Sequence, residues 1–436
     1  MINIIGAGLA GCEAAFQIAK QKINVNLYEM RPYIKTGAHK TDKLAEFVCS
    51  NSLGNKQITN ASGLLKAELE FLESFLLKTA KQFQVNAGDA LAIDRELFSN
   101  EITKLIEQNP YINLIREEKI EINKDEITIV ASGPLTSQNL IESIVNLTEE
   151  KNLAFFDAIA PIVEKDSINF DKAFIQNRYD KGEASYINCP MNKDEYLKFY
   201  DYLINAPKIE LKNFEKDAMF FESCMPIEVI AARGVDTLCY GPLKPVGLVD
   251  YRTNVENYAV VQLREDNLAK SLYNLVGFQT NLKWSAQKEL IHLIPGLENA
   301  NIIKFGVMHK NIFINSPKVL KNTLNLEKYE NVFFAGQITG TEGYTESIAG
   351  GLLAGINAVK KLNNEKLLSF PSTTMLGALT NYISYRGHKK FQPINTNWGI
   401  IEPIDLPKAQ RKNKKLKNEL LANRSIKALK TMFQTV

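Results

Sequence analysis

Apolar positions open the chain in a short run at residues 2–5, broken only by Asn3, and the run stops at a glycine. A helix-forming run from Cys12 to Lys20 follows the glycines, and a second strand, Asn24-Val-Asn-Leu-Tyr28, ends in Glu29. This order predicts one βαβ unit over residues 1–30. Residues 31–62 are polar and aperiodic and read as a loop, while residues 64–79 show the spacing of one amphipathic helix. Asp94 reads as the N-cap of a further helix, and residues 127–133 as a buried strand ending at a glycine. Roughly residues 185–310 differ in character: alternation such as Tyr258-Ala-Val-Val-Gln-Leu263, punctuated by Pro and Gly, predicts an inserted α+β domain. A strand returns at Val332-Phe-Phe-Ala-Gly336, followed by Gly340, Gly343, Gly350, Gly351, Gly355 and a helix through Val359. The predicted fold class is α/β. A nucleotide-binding domain is assembled from residues 1–185 and 311–436, and a substrate domain occupies residues 186–310.

Composition narrows this picture little. With 436 residues, 45% hydrophobic and 23% charged, the chain is an ordinary globular protein of two or three domains. A net charge of +3 makes any nucleic-acid site a local patch rather than a global field. One such patch is Lys408, Arg411, Lys412, Lys414, Lys415 and Lys417, six positive charges in ten positions, readable as a solvated helix face or as a phosphate-binding segment. A second mixes base and aromatic: Tyr382, Tyr385, Arg386, His388, Lys389, Lys390 and Phe391. Five scattered cysteines without C-x-x-C argue against a disulfide framework and against a zinc site, so no metal is expected. No apolar run reaches membrane-spanning length, and no signal peptide is read ahead of the first strand, so the expected location is cytoplasmic.

The glycines after the first strand carry the first chemistry. In Gly6-Ala7-Gly8-Leu9-Ala10-Gly11, the first glycine permits a tight turn, the second a close approach to a pyrophosphate, and the third helix-on-strand packing. The helix N-terminus then offers N–H groups and a positive dipole end to phosphate. Glu29, eighteen residues after Gly11, stands where a carboxylate accepts from both ribose hydroxyls. The late strand, Gly336-Gln337-Ile-Thr-Gly340 and its helix either close the pocket of a flavin dinucleotide or form a separate nucleotide site.

Two cysteines lie in polar, loop-like surroundings: Cys49 in Glu46-Phe-Val-Cys-Ser-Asn-Ser-Leu53, and Cys224 in Phe221-Glu-Ser-Cys-Met-Pro-Ile-Glu228. Cys12, Cys189 and Cys239 read as ordinary buried thiols. With these segments the chain resembles the folate- and FAD-dependent RNA uracil-5-methyltransferases, the TrmFO (Gid) family. Carrying the resemblance besides the glycine turn are Tyr28-Glu-Met-Arg-Pro32, Val48-Cys-Ser-Asn-Ser-Leu53, Cys189-Pro-Met-Asn192, Cys224-Met-Pro-Ile-Glu-Val229 and Gly241-Pro-Leu-Lys-Pro-Val-Gly247. Val260-Val-Gln-Leu-Arg264, Asn274-Leu-Val-Gly-Phe-Gln279, Ile294-Pro-Gly-Leu-Glu-Asn299 and Gly336-Gln-Ile-Thr-Gly340 extend it over nearly the whole chain.

The resemblance implies a Rossmann-type FAD-binding domain with the inserted domain described above. It implies FAD as cofactor, 5,10-methylenetetrahydrofolate as one-carbon donor, NAD(P)H as reductant, and an RNA uridine as acceptor. The T-loop uridine of tRNA is the expected target, and a uridine of 23S rRNA is the alternative. The cofactor set would be Gly6, Ala7, Gly8, Leu9, Ala10, Gly11, Glu29, Arg31, Gly336, Gln337 and Gly340. A thiolate adding at C6 of uracil makes C5 nucleophilic, a base removes the C5 proton, and a hydride completes the methyl group. By resemblance Cys224 is the nucleophile and Cys49 the base, although the two roles are exchangeable on sequence alone.

Three positions depart from the family pattern: Ser223 in place of a common Gly, Asn281 in place of a His found in some relatives, and Lys310 in place of Arg. His309 reads equally as a polar active-site group or a structural one. Three other classes compete. A wobble-uridine flavoenzyme needs a longer helical C-terminus, a flavin thiol–disulfide oxidoreductase needs a dithiol, and a non-enzymatic RNA-binding flavoprotein would make both cysteines dispensable.

Overall fold

The computed structural model describes the chain apart from residues 152, 159, 181–182, 210–224, 254–256, 307, 408–409, 411–412 and 435–436, and only the backbone of 153–158 and 308–310. Five parallel strands form the first sheet, in the order Val332–Phe334, Thr128–Val130, Ile2–Ile5, Val25–Tyr28, Ile112–Ile115. Their apolar runs are what a parallel sheet covered on both faces requires: Ile2, Ile4, Ile129, Val130, Val332 and Phe333 are all buried. The strand from late in the chain sits at the edge beside Thr128–Val130, so both chain ends build one sheet.

Every residue of the first helix, Leu9–Ala19, is buried, because the late helix Tyr344–Leu362 lies across it. Small residues allow the approach. A Cβ at Gly351 would stand 2.2 Å from the carbonyl oxygen of Ala10, and one at Gly355 2.9 Å from that of Ala14.

The second body is a six-stranded antiparallel sheet, in the order Phe174–Ile175, Ile187–Met191, Ala259–Glu265, Leu272–Leu275, Ile162–Glu164, Ile302–Lys304. Ile187, Cys189 and Met191 alternate onto one face, and Tyr196, Phe199, Leu203, Leu290 and Ile291 from the helices Lys193–Asn205 and Trp284–His292 join them in one core. The strands Leu153–Ala158 and Met308–Phe313 pair antiparallel where the chain enters and leaves this body.

Three expectations shift. The second sheet recruits Ile162–Glu164 and Phe174–Ile175 ahead of residue 186, since strands of three and two residues leave no compositional mark. Residues 64–79 are not one helix but parts of two, Ala61–Phe71 and Phe75–Gln82. Glu73 takes a positive φ of 57°, Ser74 caps the second helix, and the buried Glu13 accepts the N–H groups of Phe75 and Leu76, which rewards the break. The expected loop over 31–62 contains the strand Ser52–Asn55, paired with Ala90–Ile93. Asp94 is the N-cap of Arg95–Glu107, accepting from Glu96 and Leu97.

Candidate functional site

Gly6 has φ +101°, and a Cβ there would stand 2.6 Å from the Ala131 carbonyl oxygen, so the turn requires glycine. A Cβ at Gly11 would lie 1.9 Å from the Gly6 carbonyl oxygen, which seats the helix on the turn. At Gly8 a Cβ would meet nothing within 4 Å: this residue faces open space at an N-terminus with no side-chain cap. That space is a cleft lined by Gly6, Gly8, Leu9 and Ala10, and by Ser132, Gly336 and Gln337. Its open glycine cradle and uncapped helix end fit a dinucleotide pyrophosphate.

Glu29 lines the same cleft at 5% exposure. Its Oε1 accepts from the backbone N–H of Arg31 at 3.1 Å and from Arg31 Nε at 2.8 Å, and its Oε2 accepts from the N–H of Ala7 at 3.1 Å. Burial opposes the charge, but the Arg31 guanidinium and the two backbone N–H groups outweigh it and hold the carboxyl below the usual carboxylate range. A carboxylate has about four lone-pair directions, and three of those of Glu29 are taken within the protein. Arg31 is a positioning residue: its guanidinium bridges Glu29 and Glu46, the latter at 3.0 Å. Ala7 and Gly11 act behind the cleft wall, through the Glu29 hydrogen bond and helix packing. Gly340 ends the turn Gln337–Thr339 with φ +85° and is not among the residues lining the cleft; a Cβ there would stand 2.6 Å from Phe391 Cζ.

Cys49 stands beside two residues that line this cleft, Val48 and Tyr344. The Tyr344 hydroxyl oxygen accepts the N–H of Cys49 at 2.9 Å and that of Ser50 at 3.4 Å, and lies 3.1 Å from Cys49 Sγ. Burial, then the neighbouring Cys49, pushes the Tyr344 hydroxyl well above its ordinary value, so it stays protonated. With two backbone N–H groups on its oxygen, the Tyr344 hydroxyl has its own hydrogen available for sulfur. Cationic groups surround the loop. Lys304 Nζ donates to the Val48 carbonyl at 3.2 Å, and burial, with repulsion from Arg95 and Lys40, lowers this lysine to about 8. Arg95 ion-pairs with Asp266.

The loop is latched to the inserted domain. Asn51, fully buried, donates to the Glu265 carbonyl at 2.8 Å and to that of Ile93 at 3.2 Å, and accepts from Asn274. Arg264 donates to Ser50 Oγ at 3.0 Å. Sequence reasoning missed Tyr344, Arg95, Lys304 and Asn51. The only local signal was an aromatic residue directly after Gly343 at a helix start.

Cys224 and Ser223 lie outside the described residues, as do the side chains of His309 and Lys310. Asn281 is buried against Ile209 at the edge of that segment, donating to its carbonyl at 3.1 Å. Lys414, Lys415 and Lys417 begin the helix Lys414–Gln434, which buries Leu421, Ala422 and Leu429. In the upstream cluster Arg386 pairs with Glu327 and His388 bonds the Tyr382 carbonyl, while Lys389 and Lys390 are exposed. No described helix is long and apolar enough to cross a membrane.

Known proteins resemble this chain. The chain is 53% identical over 433 residues to the methylenetetrahydrofolate–tRNA-(uracil-5-)-methyltransferase TrmFO of Halalkalibacterium halodurans, covering 99% of this chain and 98% of that protein. It is 52% identical over 433 residues to the TrmFO of Anoxybacillus flavithermus, covering 99% of each. Among solved structures, GidA of Aquifex aeolicus superposes with a TM-score of 0.70 at 16% identity, covering 99% of this chain and 76% of that one. That likeness is one of fold. The family model described as glucose inhibited division protein A matches residues 1–366, and the chain belongs to that GidA family.

Proposed function

We propose that this protein transfers the one-carbon unit of 5,10-methylenetetrahydrofolate to C5 of a tRNA uridine, with FAD in the glycine-lined cleft and NAD(P)H as the source of electrons. The observation that carries the reading is the meeting of Cys49 with Tyr344 beside that cleft, in a chain half identical to enzymes named for this reaction. Gly8, Glu29, Gly336 and Gln337 would hold the dinucleotide, with Ala10 and Leu9 at the helix end. Reduced flavin, when bound, supplies the hydride that turns the transferred methylene into a methyl group.

The protein's own residues supply the rest. Cys224 adds to C6 of uracil and charges C5, which attacks the methylene carbon. Cys49, as thiolate, takes the C5 proton while the bond between the methylene carbon and the folate nitrogen breaks and tetrahydrofolate leaves; once a hydride has reached that carbon, Cys224 leaves with the C5–C6 double bond restored. Tyr344 keeps Cys49 in the basic form, and the Asn51 latch fixes the loop. The relatives' names specify tRNA, and the T-loop uridine is the proposed target; the 23S rRNA alternative has no support among them. A cytoplasmic location accords with a tRNA substrate.

The test is nucleoside mass spectrometry after incubating the yellow protein with NADPH, methylenetetrahydrofolate and either unmodified tRNA or a 23S transcript. 5-Methyluridine is expected in tRNA alone. Cys224→Ala and Cys49→Ala should each lose at least about a thousandfold in rate, as removal of a unit-acting catalytic group does. Full methylation by either variant would overturn the role given to that cysteine, and a variant that keeps RNA binding but loses methylation would overturn the non-enzymatic flavoprotein reading.

A further inference from the structure

A tryptophan with most of its surface in water is unusual for a residue this large and apolar, and Trp284 is 60% exposed. Its indole is not loose. The ring stacks on Phe305 with centroids 5.6 Å apart and planes 12° from parallel, which holds one face and leaves the other open. Gln287, on the same helix, clamps Gly306 by two hydrogen bonds, donating to its carbonyl at 2.9 Å and accepting its N–H at 2.7 Å. One residue before Phe305, Lys304 reaches the Val48 carbonyl beside Cys49. The rigid aromatic shelf is therefore tied through three consecutive residues to the loop bearing the proposed base.

Its surroundings are basic. Lys283 directly precedes Trp284, and Lys208 lies in the bridge pairing with Leu282; both are exposed. The helix Trp284–His292 begins without a side-chain cap and so presents backbone donors beside the indole. The one nearby acid on that helix, Glu289, is held by the Tyr202 hydroxyl. An exposed aromatic face framed by lysines and helix N–H groups matches a nucleotide: ring on ring, phosphate on the cations.

We propose that Trp284, supported by Phe305, is a stacking platform for an unpaired base of the RNA loop that carries the target uridine. The proposal rests on the RNA-modifying function above. A single-stranded loop is the form of RNA whose bases can splay onto such a face, and the platform orients the loop so that its target reaches Cys49. Trp284 touches no reacting atom in this scheme; it is a specificity residue.

Only two tryptophans occur in the chain, Trp284 and Trp398, so a Trp398→Phe background makes Trp284 the sole indole reporter. That holoenzyme is titrated with an unmodified T-arm RNA hairpin, with the same hairpin carrying abasic loop positions, and with tetrahydrofolate. Indole emission should be quenched by the intact hairpin and much less by the abasic one. In the otherwise native chain, Trp284→Ala should weaken hairpin binding by about tenfold, as loss of one stacked base does, with Trp284→Phe retaining most affinity and the KM for methylenetetrahydrofolate unchanged. Quenching by tetrahydrofolate but not RNA, with a raised folate KM in Trp284→Ala, would overturn the proposal in favour of a pteridine. Unchanged hairpin affinity in Trp284→Ala, read by filter binding, would overturn it outright. Failure of the methylation reading shows separately, as hairpin binding by the native protein without 5-methyluridine.

Discussion

One proton decides what the Cys49 loop can do. The Tyr344 hydroxyl accepts from two backbone N–H groups and has its own hydrogen left for sulfur. Tyr344→Phe removes that donor and leaves the two N–H groups without their acceptor. The methylation rate should fall by about 10- to 100-fold, and its ascending pH limb should move to higher pH, because a thiolate without the donor forms later. A pH–rate profile of both proteins checks this, and an unshifted limb would mean that Tyr344 only packs. Cys49 was legible in the sequence because cysteine is rare and its neighbours are polar. Tyr344 was not, because 295 residues separate the pair and nothing periodic links them. The same holds for Asn51 and Glu265, whose contact exists only once two domains meet. Glu29 lines the cleft, but its commitment to Ala7 and Arg31 was invisible in the sequence.

At the scale of elements, patterns that serve one neighbour were readable and patterns that serve two were not. The first strand and its turn belong to a single sheet and obey the expected spacing. Residues 61–82 answer both to their own amphipathic period and to Glu13 of the first helix, and the second demand breaks the helix at Glu73. The crossing of the first and late helices depends on side chains that are missing. Gly351→Ala would put a methyl 2.2 Å from a backbone oxygen, so the helices must part. We expect about 1–3 kcal/mol of lost stability in chemical denaturation, with weaker flavin retention because Gly336 and Ala10 line the cleft at that crossing. Gly133→Ala is the control: its Cβ would meet nothing within 4 Å, and only the backbone cost of φ +70° applies.

Across the whole molecule, Glu68 joins three helices. Fully buried on Ala61–Phe71, it accepts from the N–H groups of Met375 and Leu376, at 2.6 and 2.8 Å, and from Ser425 of the C-terminal helix. Burial lifts its carboxyl to about 7, against the pull of these hydrogen bonds. An acid whose folded value is raised from 4.5 stabilises the fold fully below 4.5 and loses the contribution as pH climbs through about 7. Between pH 5 and 8 the native protein should therefore lose stability by up to about 3 kcal/mol through this group. Glu68→Gln should flatten that stretch of a melting-temperature profile, and an equally steep profile in the variant would remove Glu68 as the cause.

The long-range pairing of the first and late helices also sets a timetable for synthesis. The helix Leu9–Ala19 leaves the ribosome early, yet its covering partner begins only at Tyr344, about 325 residues later (344 less 19). At about 5–20 residues per second that wait is roughly 20–60 seconds. Through all of it the side of the first helix that Tyr344–Leu362 covers stands open, and the cleft lacks Gly336, Gln337 and Tyr344 until that same stretch is made.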